Sequence, residues 1–120
     1  MAHILIVEDS QTDAYIIRRI LEDIGYKVSV ANNGEQGVEK AKELLPDLIL
    51  MDVVMPGLNG FQATRRITKA PETSNIPVMI LSSKHMESDR EWGKMQGAKE
   101  FLIKPIKPDE LIKAVKRWLN

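Results

Sequence analysis

The sequence contains no cysteine among its 120 residues. Disulfides and thiolate metal sites are therefore excluded, and the composition fits a reducing, cytoplasmic setting. It also lacks any excess of charge. Its 17 Lys and Arg balance 17 Asp and Glu, and the signs are interspersed, so electrostatics alone makes no case for direct nucleic-acid binding. Long apolar runs are missing too. After Met1, Ala2 and His3 only Ile4 to Val7 are apolar before acids appear. With no charged leader and no apolar span of about 20 residues, neither a signal peptide nor membrane insertion is supported. Repeats, low-complexity tracts and linkers are likewise absent.

What is present describes a globular chain with an ordinary core: 43% hydrophobic and 28% charged residues. The length suits one domain and is too short for two. The expectation is a single domain over residues 1–120, with no attached output domain because the chain ends with a fifth helix.

Short apolar runs alternate with helical patterns. Ile4–Val7, Val28–Ala31, Leu48–Met51, Val78–Leu81 and Glu100–Ile103 are the expected strands. Four of them are apolar nearly throughout, as in a parallel sheet covered by helices on both faces; the second alternates through Ser29, which suits an edge. Ser10 is placed to cap the first helix, and Asp13, three residues on, resembles the second half of a capping box. Ile16, Ile17, Ile20, Leu21 and Ile24 then form its apolar face up to Gly25. Further helices are expected over Gly34–Leu44, Gly60–Lys69 and Met86–Gln96. A last one opens at Pro108 and buries Leu111, Ile112, Val115, Trp118 and Leu119. Five β-then-α units predict an α/β doubly wound five-stranded parallel sheet, flavodoxin-like, with strand order 2-1-3-4-5. Ligands of such sheets sit beyond the carboxyl ends of the strands, between strands one and three.

Polar residues gather at that rim. Strand one runs into Glu8 and Asp9, strand three into Asp52, strand four into Ser82 and Ser83, and strand five into Lys104 and Pro105. An unpaired carboxylate ending an apolar strand is costly, and three close together repel unless a cation compensates. Oxygen donors without His or Cys point to a hard ion, Mg²⁺ or Mn²⁺. Lys104 supplies a point charge for an anion and Ser82 a hydroxyl donor. Together these groups suit phosphoryl transfer.

In order and spacing, "VEDS", "LILMDVVMPGLNG", "PVMILSS" and "GAKEFLIKP" resemble the receiver-domain (response-regulator) family of two-component signalling, over essentially the whole chain. "GLNGFQATR" and "EWGKMQGA" are similar to stand-alone receivers of the chemotaxis and type IV pilus kind. The resemblance implies that Asp52 is the phospho-acceptor, taking its phosphoryl group from a phosphohistidine on a partner histidine kinase. It implies that Asp9, Asp52 and the backbone carbonyl of Val54 bind Mg²⁺, with Glu8 acting through a water. Ser82 and Lys104 would bind phosphoryl oxygens, and the Lys104–Pro105 bond would be cis. Phe101 would be an aromatic switch. The output would be a protein-binding surface of helix four, strand five and helix five, directed at a downstream protein such as motility machinery. Such a chain is not a turnover enzyme; it catalyses at most its own phosphotransfer and dephosphorylation. Val54 and Lys84, two residues after Asp52 and Ser82, flank the path of water to the acyl phosphate, where an apolar group and a cation bear on the decay rate.

Plainer readings stand beside these. Glu8 and Asp9 suit any helix N-terminus, "DVVMPG" any turn, and Phe101 any strand core. Trp92 is either packing under a sparse helix or an exposed anchor for a partner. Trp118 reads as core, and His3 and His85 as surface residues. "KAVKRW", Lys113 to Trp118, reads as a solvated helix face. A flavodoxin-like cofactor-binding protein shares the topology but needs a phosphate-cradling loop where Glu8 and Asp9 stand. A metal-dependent phosphatase needs a substrate pocket this length does not provide. Within the family, a phosphate sink for a shared kinase is the alternative to an effector.

Overall fold

Backbone pairing, indifferent to side-chain polarity, carries several strands one residue beyond their apolar runs. The computed structural model describes residues 1–83 and 87–119, with Glu87 described by its backbone alone. Its elements are β1 (His3–Val7), α1 (Gln11–Asp23), β2 (Lys27–Ala31), α2 (Gly34–Leu44), β3 (Leu48–Asp52), α3 (Gly60–Lys69), β4 (Val78–Ser82), α4 (Glu87–Met95), β5 (Glu100–Ile103) and α5 (Pro108–Leu119). All four pairings are parallel and the order is β2-β1-β3-β4-β5, as expected. β1 therefore starts at His3, and β3 and β4 include Asp52 and Ser82 as their last residues. Among the described residues no helix is long and apolar enough to cross a membrane.

Alternation along the central strands divides the core between two faces. Ile4, Ile6, Leu48, Leu50, Met79 and Leu81 pack with Ile17 and Leu21 of α1 and Leu111, Ala114 and Val115 of α5. Leu5, Val7, Ile49, Met51 and Val78 pack with Val38 and Ala41 of α2 and Ala63 and Ile67 of α3. Burial on both faces explains why these runs read as continuously apolar.

Some helix faces differ from the sequence reading. On α1, Ile17, Leu21 and Ala14 are buried, but Ile16 is 51% exposed and Ile24 40% exposed. Ile16 lies one residue, about 100°, around the helix from Ile17, and Ile24 is the C-cap, beyond the last helical turn. On α5 the apolar stripe continues through Ala114, and Trp118 is partly exposed instead of core. Its indole N–H donates to Glu100 Oε1 at 3.3 Å, beside the Arg117–Glu100 ion pair. His3, expected at the surface, is partly buried with Nε2 2.8 Å from Ser29 Oγ. His85, Lys84 and Met86, the expected first residue of the fourth helix, lie outside the described residues.

The Ser10 cap forms, with its Oγ accepting the Asp13 N–H at 3.2 Å. The reciprocal half of the expected capping box does not. Ser10 N–H donates to Glu8 Oε2, and the Asp13 carboxylate turns toward Lys104. A complete capping box occurs instead at α3, between Asn59 and Gln62.

Two glycines let α2 and α3 approach the loop that follows β3. A Cβ on Gly60 would overlap the Asp52 carbonyl and lie 2.8 Å from Val53 Cα, and one on Gly34 would overlap the Leu58 carbonyl. Backbone cannot retreat as a flexible side chain can. Gly60→Ala is therefore expected to cost about 1–3 kcal/mol or more through overpacking. Gly25→Ala, with φ +100° but open space around it, is expected to cost about 1 kcal/mol from backbone strain alone. Urea midpoints of the two variants check the order.

Candidate functional site

β1, β3, β4 and β5 all run toward one rim, so four polar side chains converge there without any long loop. Glu8 immediately follows β1, its N–H held by the Ala31 carbonyl at 3.0 Å. Asp52 closes β3 opposite Leu81, and Ser82 closes β4 opposite Ile103. Lys104 follows β5, with its N–H bonded to the Ser82 carbonyl at 2.8 Å. The Lys104–Pro105 peptide is cis.

The Lys104 ammonium sits among three carboxylates: Glu8 Oε1 at 2.6 Å, Asp13 Oδ2 at 3.1 Å and Asp52 Oδ1 at 3.2 Å. Glu8 and Asp52 are buried, whereas Asp9 is exposed. Burial pushes Glu8 up to about 6; repulsion from Asp52 adds to this, and the ammonium and the Ser10 N–H oppose it. Asp52 is raised as well, chiefly by burial and then by Asp9, against the pull of Lys104. Burial disfavours the Lys104 ammonium, but its bond to Glu8 and the Asp52 charge jointly outweigh this and hold it above its ordinary value. Ser82 is fully buried.

Carboxylate oxygens of Glu8, Asp9 and Asp52 lie within 4.8 Å of one another. That donor set, oxygen only and more acidic than one lysine neutralises, fits a hard divalent cation. Glu8 already has a partner on each oxygen, Lys104 on one and Ser10 N–H on the other. Asp9 and Asp52 hold the freer charge. Val54 is 56% exposed just beyond Asp52. The chain then turns through Gly57, whose φ of +74° is the left-handed region that glycine adopts readily.

Phe101 and Trp92 lie away from the carboxylates. Phe101, opposite Ile80 in the register, is partly buried, and the Arg90 guanidinium lies 5.5 Å from its ring centroid. Trp92, on α4, is 49% exposed. Asp13 is the site residue that the sequence reading missed. It is legible only as part of a helix cap, and its neighbour Lys104 is 91 residues away. Beside them a cleft of about 420 Å³ opens, lined by Asp13, Ile16, Ile17, Ser83, Lys104, Pro105 and Ile106.

A doubly wound sheet with an acidic rim and a lysine at the end of β5 narrows the class of protein further than a flavodoxin-like fold alone. The chain belongs to the response regulator receiver domain family, whose model matches residues 4–116. It is 52% identical over 115 residues to the protein PilH of Pseudomonas aeruginosa, covering 96% of this chain and 95% of that one. Among solved structures, the chemotaxis protein CheY4 of Vibrio cholerae is similar at TM-score 0.93 and 30% identity, covering 98% of both chains. The receiver domain of a sensor histidine kinase from Pseudomonas aeruginosa, solved with a magnesium ion in its active-site cleft, is similar at TM-score 0.91 and 34% identity, covering 98% of this chain and 97% of that one.

Raised carboxylates make a pH prediction for the metal-free protein. A glutamate with the ordinary value of 4.5 in the unfolded chain and about 6 when folded leaves the folded state with more bound protons between those values. Stability from Glu8 is therefore present at low pH and lost as pH rises through that window. Relative to wild type, Glu8→Gln is expected to gain stability as pH rises from 4.5 to 6 and to level off above. Urea unfolding in a chelator across this range measures the difference, and parallel pH profiles would contradict it.

Proposed function

We propose that Asp52 accepts a phosphoryl group from a phosphohistidine on a histidine kinase, and that the modified rim then changes a protein-binding surface. The observation that carries this reading is the Asp52 carboxylate itself. It ends a central strand, is buried, and lies 3.2 Å from Lys104 Nζ beside two further acids. Lys104 would stabilise a purely structural carboxylate as well, but Asp9 repels Asp52 and Asp52 repels Glu8. That surplus negative charge makes sense where a divalent cation and a transferred anion are to be held together.

An Asp52 oxygen attacks phosphorus. The new O–P bond forms as the P–N bond breaks, with its electron pair leaving on the imidazole nitrogen. Mg²⁺, for which Mn²⁺ could substitute, would be held by Asp9, Asp52 and the Val54 carbonyl, with Glu8 acting through water; when bound it neutralises the phosphoryl oxygens. Lys104 Nζ pairs with one phosphoryl oxygen, and the Ser82 hydroxyl donates to another. The magnesium ion in the active-site cleft of the similar kinase receiver structure supports a divalent cation at this acidic rim. Val54, apolar and exposed, shields the acyl phosphate on one side; Lys84, its expected counterpart, lies outside the described residues.

Residues 1–120 are read as one receiver acting through its own surface, supported by near-complete mutual coverage with PilH. The partners proposed are a histidine kinase upstream and a motility-related protein downstream, with α4, β5 and α5 as the contact surface. The setting proposed is cytoplasmic.

Asp52→Asn is expected to abolish Mg²⁺-dependent labelling by acetyl phosphate or a phosphohistidine donor while leaving the circular dichroism spectrum unchanged. Stoichiometric labelling of that variant would reassign the acceptor. Beryllofluoride with Mg²⁺, standing for the phosphoryl group, is expected to change Trp92 fluorescence in a Trp118→Phe background. Ser82→Ala should blunt that change without preventing phosphorylation, because it removes the hydroxyl linking the anion to β4 and Phe101. An undiminished response would place the route elsewhere.

A further inference from the structure

Lys104 is held from two sides, and only one side belongs to the candidate metal cluster. Glu8 and Asp52 are shared between the ammonium and that cluster. Asp13 is not one of the clustered acids, yet its Oδ2 lies 3.1 Å from Lys104 Nζ. The backbone fixes its place: Asp13 N–H is bound by the Ser10 cap, which seats the residue in the first turn of α1, facing the rim. Its side chain is 45% exposed, against 16% for Lys104.

We infer that Asp13 is a positioning residue that holds the Lys104 ammonium toward α1 and competes with the phosphoryl group for it. The inference rests on the phospho-acceptor reading above. When a divalent cation shares the charge of Glu8 and Asp52, those two carboxylates attract Lys104 less. Asp13, outside the cluster, keeps its full charge. It then remains the main anionic partner that Lys104 has to leave in order to pair with a phosphoryl oxygen. The same negative charge beside the rim also opposes an incoming anion, so both effects have one sign. Asp13 accordingly lowers occupancy of the phosphorylated state and keeps Lys104 ordered while the site is unmodified.

Two readouts test this on the intact chain, with Asp13→Asn removing the charge and Asp13→Glu keeping it. In metal-free protein, the ¹⁵N chemical shift of Lys104 Nζ is expected to move in Asp13→Asn and to stay near wild type in Asp13→Glu. At saturating Mg²⁺, beryllofluoride bound to Asp13→Asn, followed by fluorine NMR, should be about threefold tighter than wild type, the scale of a half-exposed ion pair, with Asp13→Glu again near wild type. Equal affinities, or weaker binding by Asp13→Asn, would overturn the competition. Tighter binding with an unmoved Nζ resonance would show that charge acts on the anion directly and would overturn the positioning role. No beryllofluoride binding by the wild type would instead remove the phospho-acceptor reading beneath it.

Discussion

A single ammonium group held among carboxylates organises the rim of this sheet. Burying Glu8 and Asp52 side by side costs several kcal/mol, roughly, unless a cation shares the space. Lys104 meets that demand from the far end of the chain, 96 residues from Glu8. The pairing cannot form until β1, β3, β4 and β5 lie in their final order, so it reads out completed topology. It is also incomplete compensation. Three acids face one lysine, the two buried carboxylates remain above their ordinary values, and the surplus negative charge is what a divalent cation would meet. An apolar substitute for such a cluster is often as stabilising or better, so the charges are not explained by stability of the sheet alone.

Placement of the cluster follows from the crossover pattern. Right-handed connections send α1 and α5 to one face and α2 and α3 to the other. The chain therefore diverges between β1 and β3, and the crevice between their ends is free of a covering helix. Two close backbone approaches define its wall. α3 begins against the Asp52 carbonyl and α2 against the Leu58 carbonyl, each at a glycine with no room for a side chain. The turn after Asp52 is thus pinned at both ends, and Val54 is left at the mouth instead of the core.

Much of this was legible in the sequence because it depends on period and punctuation. The apolar runs, the cap at Ser10, the first-turn Pro108 and the glycines after α1 and α4 placed the ten elements of the described residues to within a residue or two. Chirality rules pruned the strand orders without fixing one, 2-1-3-4-5 being a choice among those left, and the rim residues Glu8, Asp9, Asp52, Ser82 and Lys104 followed from where the strands stop. What escaped depends on neighbours distant in sequence. Asp13 reads as the second half of a capping box because local spacing is all the sequence offers; its carboxylate instead finds Lys104. Trp118 falls on the apolar stripe by period, but in the last turn, where Glu100 draws the indole N–H. Ile16 belongs to an isoleucine-rich helix face, yet half of it looks into the cleft beside Lys104.

Connection between rim and surface is shortest through β4 and β5. Ser82 is the last residue of β4, and its carbonyl already holds the Lys104 N–H, so the two groups proposed to grip a phosphoryl oxygen share one backbone link. Two residues before Ser82 and three before Lys104, Ile80 pairs with Phe101. Both side chains lie against Gly93 of α4, where a Cβ would stand 2.9 Å from Ile80 Cδ1 and 3.6 Å from the Phe101 ring. Phe61 of α3 stands as close as Phe101, so α4 is seated at Gly93 against these three side chains, and the Arg90 guanidinium lies 5.5 Å from the Phe101 ring centroid. A close-packed contact of that kind admits alternative seatings more readily than gradual compression. Displacing Phe101 requires its cation–π partner to let go, an interaction of about 0.5–1 kcal/mol at an exposed site. That sum is small beside the charge-assisted bonds a phosphoryl group would make at the rim, so on the proposed reading the Arg90 contact is no obstacle to reseating Phe101 against α4, the helix that carries the half-exposed Trp92.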